Sequence, residues 1–321
     1  MRKFYNTPIF NSETDEKIED LLIFESDSIN AEKIIEALIK NKLILIRSFS
    51  FEKSTSLYKE LVDHFDLRDS YDIQMQFVVN MMMDRSGVDD VAVTVNNRGP
   101  FQIIQPHSEG DSTSQLDLFG LYCKTNSESG GENILSLINQ SADHSKLKMK
   151  EKVIVGENLS EADINELRSR HMDAKEVVSH SSDTNKVLYE NPNGKVVVRN
   201  VPIKPYRSVI NNEELYTYWD NITVHDHAFH KHHYQLLKKL EILNEVPNSD
   251  YEYYMHVEKD SDWAPADTNS GSVSETANLF NKHIVHKMKA DDFLIFNNRA
   301  WTHAVNNWAP GEERKLFAMY S

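Results

Sequence analysis

Four residues of this chain have types and spacing suited to metal chemistry. His107 and Glu109 stand two apart, His303 lies far downstream, and Arg314 follows it by eleven residues. Two imidazoles and one carboxylate hold a divalent metal while leaving positions open, the half-open face suited to non-haem ferrous iron and oxygen. A guanidinium pairs with a carboxylate through two parallel hydrogen bonds, so Arg314 would suit an acidic co-substrate. Taken singly, each part has a plainer reading. The His-x-Glu pair can be an incidental polar loop in a chain with 14 histidines, His303 a satisfied core histidine, and Arg314 a surface cation. Their joint occurrence in a strand-rich chain is what gives the pattern weight.

The elements that must position these residues follow from periodicity. AEKIIEALIK at 31–40 puts Ile34, Ile35, Leu38 and Ile39 on one helical face behind an Asn30 N-cap. KLILIR at 42–47 reads as a buried strand, and 51–65 as a helix with Leu57, Leu61 and Phe65 at four-residue spacing. FQIIQ at 101–105 reads as a strand, with Pro106 ending its ladder and His107 and Glu109 sharing one face. Further strands are expected at 91–95, 116–123, 133–138, 287–296 and 314–320, with a hairpin about Asn191-Pro192-Asn193-Gly194. The polar stretch from 139 to 150 predicts a helix, as do 161–171 and 234–243. Without internal repeats or a dividing linker, the pattern fits one domain over 1–321. Its expected fold class is mainly β, an antiparallel core covered by helices rather than a doubly wound parallel sheet.

On these residues the chain resembles the taurine dioxygenase / clavaminate synthase-like superfamily of Fe(II)/2-oxoglutarate-dependent oxygenases. In that family a histidine and an acidic residue two positions on pair with a distal histidine, and His107, Glu109 and His303 match in order and type. The family's acidic turn, apolar strand and Asn-Arg segment before the distal histidine is similar to ADDFLIFNNRAWTH here, without its turn glycine. The resemblance implies a double-stranded β-helix (jelly-roll, cupin-like) core and Fe(II), 2-oxoglutarate and O2 as cofactors. It implies Arg314 as the grip on the far carboxylate of 2-oxoglutarate. The family's Gly-Gly-acid-Thr turn is similar to Gly130-Gly131-Glu132-Asn133, so Asn133 would stand where a threonine shares that carboxylate.

Two departures bear on the outcome. Sulfonate-cleaving members carry a second arginine four residues after the first, and here that position is Ala318. Halogenating members lack the carboxylate ligand, and Glu109 is present. The resemblance therefore implies hydroxylation of a small polar substrate, such as an amino acid, free or carrier-tethered. Desaturation or cyclisation by the same oxidant stays open. So does a non-catalytic metal-binding jelly roll.

Composition bounds the partners. With 50 acidic against 35 basic residues the net charge is −15, which repels phosphate backbones, so no nucleic acid is expected. An acidic carrier protein would match this charge poorly. No stretch of 18 apolar residues occurs, no membrane span is expected, and the N-terminus lacks a secretory h-region, so a cytoplasmic location is the expectation. Cys123 is the sole cysteine, which excludes an intrachain disulfide. Five histidines crowd 225–233, read as the polar start of a helix near the surface, with metal binding as the alternative. Met81, Met82 and Met83 read as core or pocket wall, Trp301 as packing behind the site, and Arg199 and Arg207 as loop charges.

Overall fold

The computed structural model describes residues 2–4, 6–26, 29–69, 71, 85–95, 101–110, 116–145, 147–155, 185–191, 194–218, 226–245 and 273–321. The expected helix at 161–171, the Met81–Met83 run and His225 lie outside them.

The chain opens with β1 (Arg2–Phe4), β2 (Thr7–Asn11) and β3 (Leu22–Glu25), then helix α1 (Ala31–Asn41). The Asn30 side chain caps α1 by accepting from the Lys33 amide, as its sequence predicts. β4 (Leu43–Arg47) leads to α2 (Phe51–His64), capped by Ser50. Next come β5 (Val93–Thr94), β6 (Ile104–His107), β7 (Leu118–Thr125) and β8 (Asn133–Ile138). A three-stranded antiparallel sheet follows, of β9 (Lys148–Val155), β10 (Asn185–Asn191) and β11 (Gly194–Pro202). Two short strands, β12 (Tyr206–Arg207) and β13 (Glu214–Leu215), precede α3 (Asp226–Leu240) and α4 (Val273–Asn278). β14 (Phe280–His286), β15 (Phe293–Asn297), β16 (Trp301–Val305) and β17 (Lys315–Tyr320) complete it.

Two six-stranded sheets form the body. One runs β1-β2-β14-β8-β16-β6, the other β3-β4-β15-β7-β17-β5. From β6 to β8, and again from β14 to β17, successive strands alternate between the two sheets. That winding is a double-stranded β-helix, so the expected jelly-roll core is present.

Layering explains the unbroken apolar runs. The second sheet is covered on both faces, which favours continuous hydrophobic strands over alternation. Ile44, Ile46, Leu118, Tyr122, Phe293 and Ile295 pack outward against Leu38 of α1 and Tyr58 and Leu61 of α2. Their neighbours Leu43, Leu45, Phe119, Leu121, Leu294 and Phe296 pack inward with Leu135, Ile284 and Trp301 of the first sheet. On the far side, Leu236, Leu237 and Leu240 of α3 cover Ile134, Val285 and Ala304. Gly120 lets α2 seat this closely, because a Cβ there would lie 3.1 Å from the Tyr58 ring. The Tyr58 hydroxyl then donates to the Leu118 carbonyl at 3.1 Å.

Several local expectations are corrected. Residues 139–145 form turns rather than a helix, with the Ala142 amide donating to Asn139, and the chain then enters β9. The expected strand at 287–296 is interrupted by a turn, in which Asp292 accepts from the Lys289 amide, so β15 begins at Phe293. Only Val93–Thr94 of the expected 91–95 strand pairs. Helix α3 begins within the histidine tract and ends at Leu240, not Leu243. Its histidines do not lie near the surface: His230, His232 and His233 are almost wholly buried.

Candidate metal centre

The first half of the site is built by strand register. His303 of β16 stands directly opposite His107 of β6, and their ring centroids are 4.4 Å apart. Pro106 does not end the ladder as expected; it lies inside β6, which continues to His107. Glu109 lies just beyond the strand, at a bend, rather than on a shared strand face. Two backbone contacts place that bend. The Ser108 amide donates to the Tyr218 carbonyl at 2.6 Å, and Asn298 clamps Glu109. The Asn298 side chain accepts from the Glu109 amide and donates to the Glu109 carbonyl, both at 2.9 Å, and donates to Leu116 at 3.0 Å.

The polar residues between β15 and β16 are thus scaffolding. Asn297 caps its own turn by accepting from the Arg299 amide at 2.9 Å. Arg299 pairs with Asp117 at 2.7 Å, both side chains almost fully buried. Removing one member of such a pair costs about 3–5 kcal/mol, since the other charge is left buried. Trp301 is wholly buried among the inner core residues, the packing role expected of it.

The ligand atoms converge. One atom each from His107, Glu109 and His303 lie within 4.8 Å of one another. Glu109 Oε1 is 3.4 Å from His303 Nε2 and 3.8 Å from His107 Nε2. His107 is oriented by its other nitrogen, Nδ1, 2.9 Å from the Gln105 carbonyl, which leaves Nε2 for a metal. His303 is held flat against Phe119, 4.7 Å between centroids with planes 14° apart. Burial pushes the Glu109 carboxyl up, but hydrogen bonds from His107 and His303, with the Arg85 charge, hold it well below the usual carboxylate range. An ionised carboxylate and two oriented imidazoles, converging on one point, fit a divalent metal.

Arg314 and Asn133 meet at a second point. The Arg314 guanidinium is 3.4 Å from Asn133 Oδ1 and 5.0 Å from the Trp308 ring. Burial pulls its pKa down to about 10, so it still carries its charge at neutral pH. Asn133 Nδ2 and Arg314 Nε are buried without hydrogen-bond partners among the described residues. Two such donors side by side fit an acceptor-only group, a carboxylate. In the ladder Asn133 faces Val305 and Leu135 faces His303, so Asn133 lies ~7 Å along the strand from the His303 register. The Gly130-Gly131 turn beside it has φ of 64° and 72°. A Cβ on Gly130 would fall 1.8 Å from the Asn307 carbonyl.

Sequence reasoning missed Arg85, Tyr320, Phe119 and Asn298. Arg85 donates to the Tyr320 hydroxyl and lies over its ring, 5.3 Å from the centroid. Nothing in the DRSGVDD stretch marks it; only the folded register does. Cys123 is buried beside Arg314, its thiol pushed up to about 12 by burial. Arg207 is exposed, but it lies in the short strand β12 rather than in a loop. Arg199 is on β11, a strand, not a loop.

No family model matches the chain, and no curated protein does. Among solved structures it is similar to PvcB, described as an Fe, alpha-ketoglutarate dependent oxygenase from an isonitrile synthetic pathway. That match has 10% identity and a TM-score of 0.48, over 98% of this chain and 89% of that one. A putative alpha-ketoglutarate-dependent taurine dioxygenase from Burkholderia xenovorans matches at 10% identity and TM-score 0.40, over 95% and 86%. AAD-2 in complex with Mn(II) and N-oxalylglycine matches at 10% identity and TM-score 0.42, over 95% of each chain.

Proposed function

We propose that the chain is an Fe(II)- and 2-oxoglutarate-dependent oxygenase that hydroxylates an unactivated C–H of a small polar substrate of the amino-acid class. The observation that carries the reading is the pairing of two sites: a half-open His-His-Glu face and, beside Asn133 ~7 Å along the ladder from His303, a buried cation and a buried amide with one orphan donor each. A five-carbon keto diacid is the co-substrate that reaches from one to the other.

His107, Glu109 and His303 hold the metal, and Arg314 with Asn133 receives the far carboxylate of 2-oxoglutarate. Bound ferrous iron, 2-oxoglutarate and O2 would together supply the oxidising power: one oxygen atom ends in succinate, with loss of CO2, and the other in the hydroxylated product. Arg314 neutralises and orients the co-substrate through a two-point ion pair. Phe119 and Phe296 ring the inner side of His303 with apolar surface, which keeps water from that side. Asn298 fixes the bend that aims Glu109. The non-catalytic jelly roll fits less well, because it gives the orphan donors of Arg314 and Asn133 nothing to bind.

The test is succinate release from 2-oxoglutarate. It should require both Fe(II) and O2 and vanish in His303→Ala. Arg314→Ala should raise the half-saturating 2-oxoglutarate concentration about a hundredfold, the size of a lost buried charge-assisted pair. Unchanged 2-oxoglutarate binding in that variant would remove the assigned subsite.

A further inference from the structure

Arg314 Nε and Asn133 Nδ2 share their want of a hydrogen-bond partner, among the described residues, with a third buried polar atom, the Ser127 hydroxyl. Ser127 follows β7 by two residues and is only 3% exposed. Its polar neighbours in the turn to β8 are satisfied. The Ser127 amide donates to Asn126 Oδ1 at 3.0 Å, and Asn126 Nδ2 donates to the Met288 carbonyl at 2.9 Å. The Ser129 amide and hydroxyl both donate to Glu312, at 2.9 and 2.6 Å. The Ser127 hydroxyl is the exception.

Gly131 locates that hydroxyl. A Cβ on this glycine would lie 2.3 Å from Ser127 Oγ and 3.4 Å from the Arg314 Cδ. The missing side chain therefore leaves the space in which the hydroxyl stands beside Arg314. Those two distances put Ser127 Oγ within about 6 Å of Arg314 Cδ, close enough for one carboxylate to accept from both side chains. A buried hydroxyl without a partner destabilises the fold that holds it. Its place beside two further unpaired donors points to one ligand that accepts from all three. A hydroxyl can donate or accept, but Arg314 is a cation and Asn133 Nδ2 only donates. The shared ligand is thus an anion, and toward it the hydroxyl donates. We propose that Ser127 is a third donor to the far carboxylate of 2-oxoglutarate, which is then held by the β7–β8 turn, by β8 and by the residue before β17. This proposal rests on the oxygenase reading and adds one binding residue to its co-substrate site.

The experiment is calorimetric binding of 2-oxoglutarate, without oxygen, to the full chain holding Mn(II). Ser127→Ala should raise the 2-oxoglutarate Kd about tenfold, the size of one hydrogen bond to a charged acceptor, with Mn(II) affinity within twofold of wild type. Oxalate, a two-carbon chelator too short to reach from the metal to Arg314, should bind both proteins equally. Thermal melts without metal or co-substrate separate this role from a structural one. Removing an unpaired buried hydroxyl should leave the Tm of Ser127→Ala at or above that of wild type, whereas losing a hydroxyl that holds the turn would lower it. A Ser127→Ala binding curve that overlays wild type overturns the proposal. So does an equal loss of oxalate and 2-oxoglutarate affinity, and so does a Tm several degrees below wild type in the ligand-free variant. Failure of 2-oxoglutarate to bind wild type holding Mn(II), by contrast, strikes the oxygenase reading itself.

Discussion

At the scale of single residues, burial of titratable groups sets a measurable pH dependence away from the metal. His283 of β14 is fully buried, its Nδ1 2.7 Å from the Ser136 hydroxyl, with His232 and His233 of α3 facing it. Burial, and then the charge His233 would carry, pull its pKa from 6.5 down to about 3. The folded state therefore refuses a proton that the unfolded chain accepts. Above about pH 6.5 neither state is protonated and no stability is lost. Between 6.5 and 3 the unfolded chain gains the proton, and this one group costs about 1.4 kcal/mol per pH unit. Denaturant unfolding of wild type and His283→Asn, at pH 7, 6 and 5, should show the variant's stability falling less steeply on acidification. Parallel slopes would place the effect elsewhere.

At the scale of elements, the site depends on the turn between β15 and β16 as much as on its ligands. Asn298 makes three hydrogen bonds to the backbone at Glu109 and Leu116. Asn298→Ala removes all of them, so it should destabilise the fold by about 2–4 kcal/mol and weaken Mn(II) binding tenfold or more. Calorimetric metal titration beside a thermal melt checks both, and unchanged metal affinity would show that Glu109 is aimed by something else. This element also shows what was legible beforehand. The strand FLIFN and the polar segment after it stood out because their residue types alone announce a buried strand and a turn. The role of Asn298 did not, because its partners lie 182 and 189 positions away. The same limit applied to Arg85, which meets Tyr320 across 235 positions. The histidine tract was misjudged for another reason. Polarity predicts a surface, but His232 is buried by packing between Phe4 and Phe280, and periodicity cannot foresee those partners. The stretch from 139 to 145 failed similarly, since Asn139 and Asp143 turn the chain on their own side chains, accepting from the Ser141 and Ser145 amides.

At the scale of the molecule, ligand binding and folding are coupled through the two sheets. The metal residues come from β6, the bend after it and β16, all in the first sheet. The proposed co-substrate residues are Asn133 of β8 in that sheet and Arg314, which immediately precedes β17 of the other. Metal alone therefore ties strands within one sheet, whereas metal with 2-oxoglutarate ties the two sheets together. A ligand at a hundred times its Kd adds about 2.7 kcal/mol to the folded state. In a chain of this size that raises Tm by roughly 4 °C. Because the sheets share one inner core, the body should melt in a single calorimetric transition. Mn(II) should raise its Tm, and 2-oxoglutarate should raise it again only when Mn(II) is present. Arg314→Ala should keep the first increment and lose the second. A second increment that survives in Arg314→Ala would mean the co-substrate bridges the sheets through other residues. Two separate transitions would assign the β9–β11 sheet to a folding unit of its own.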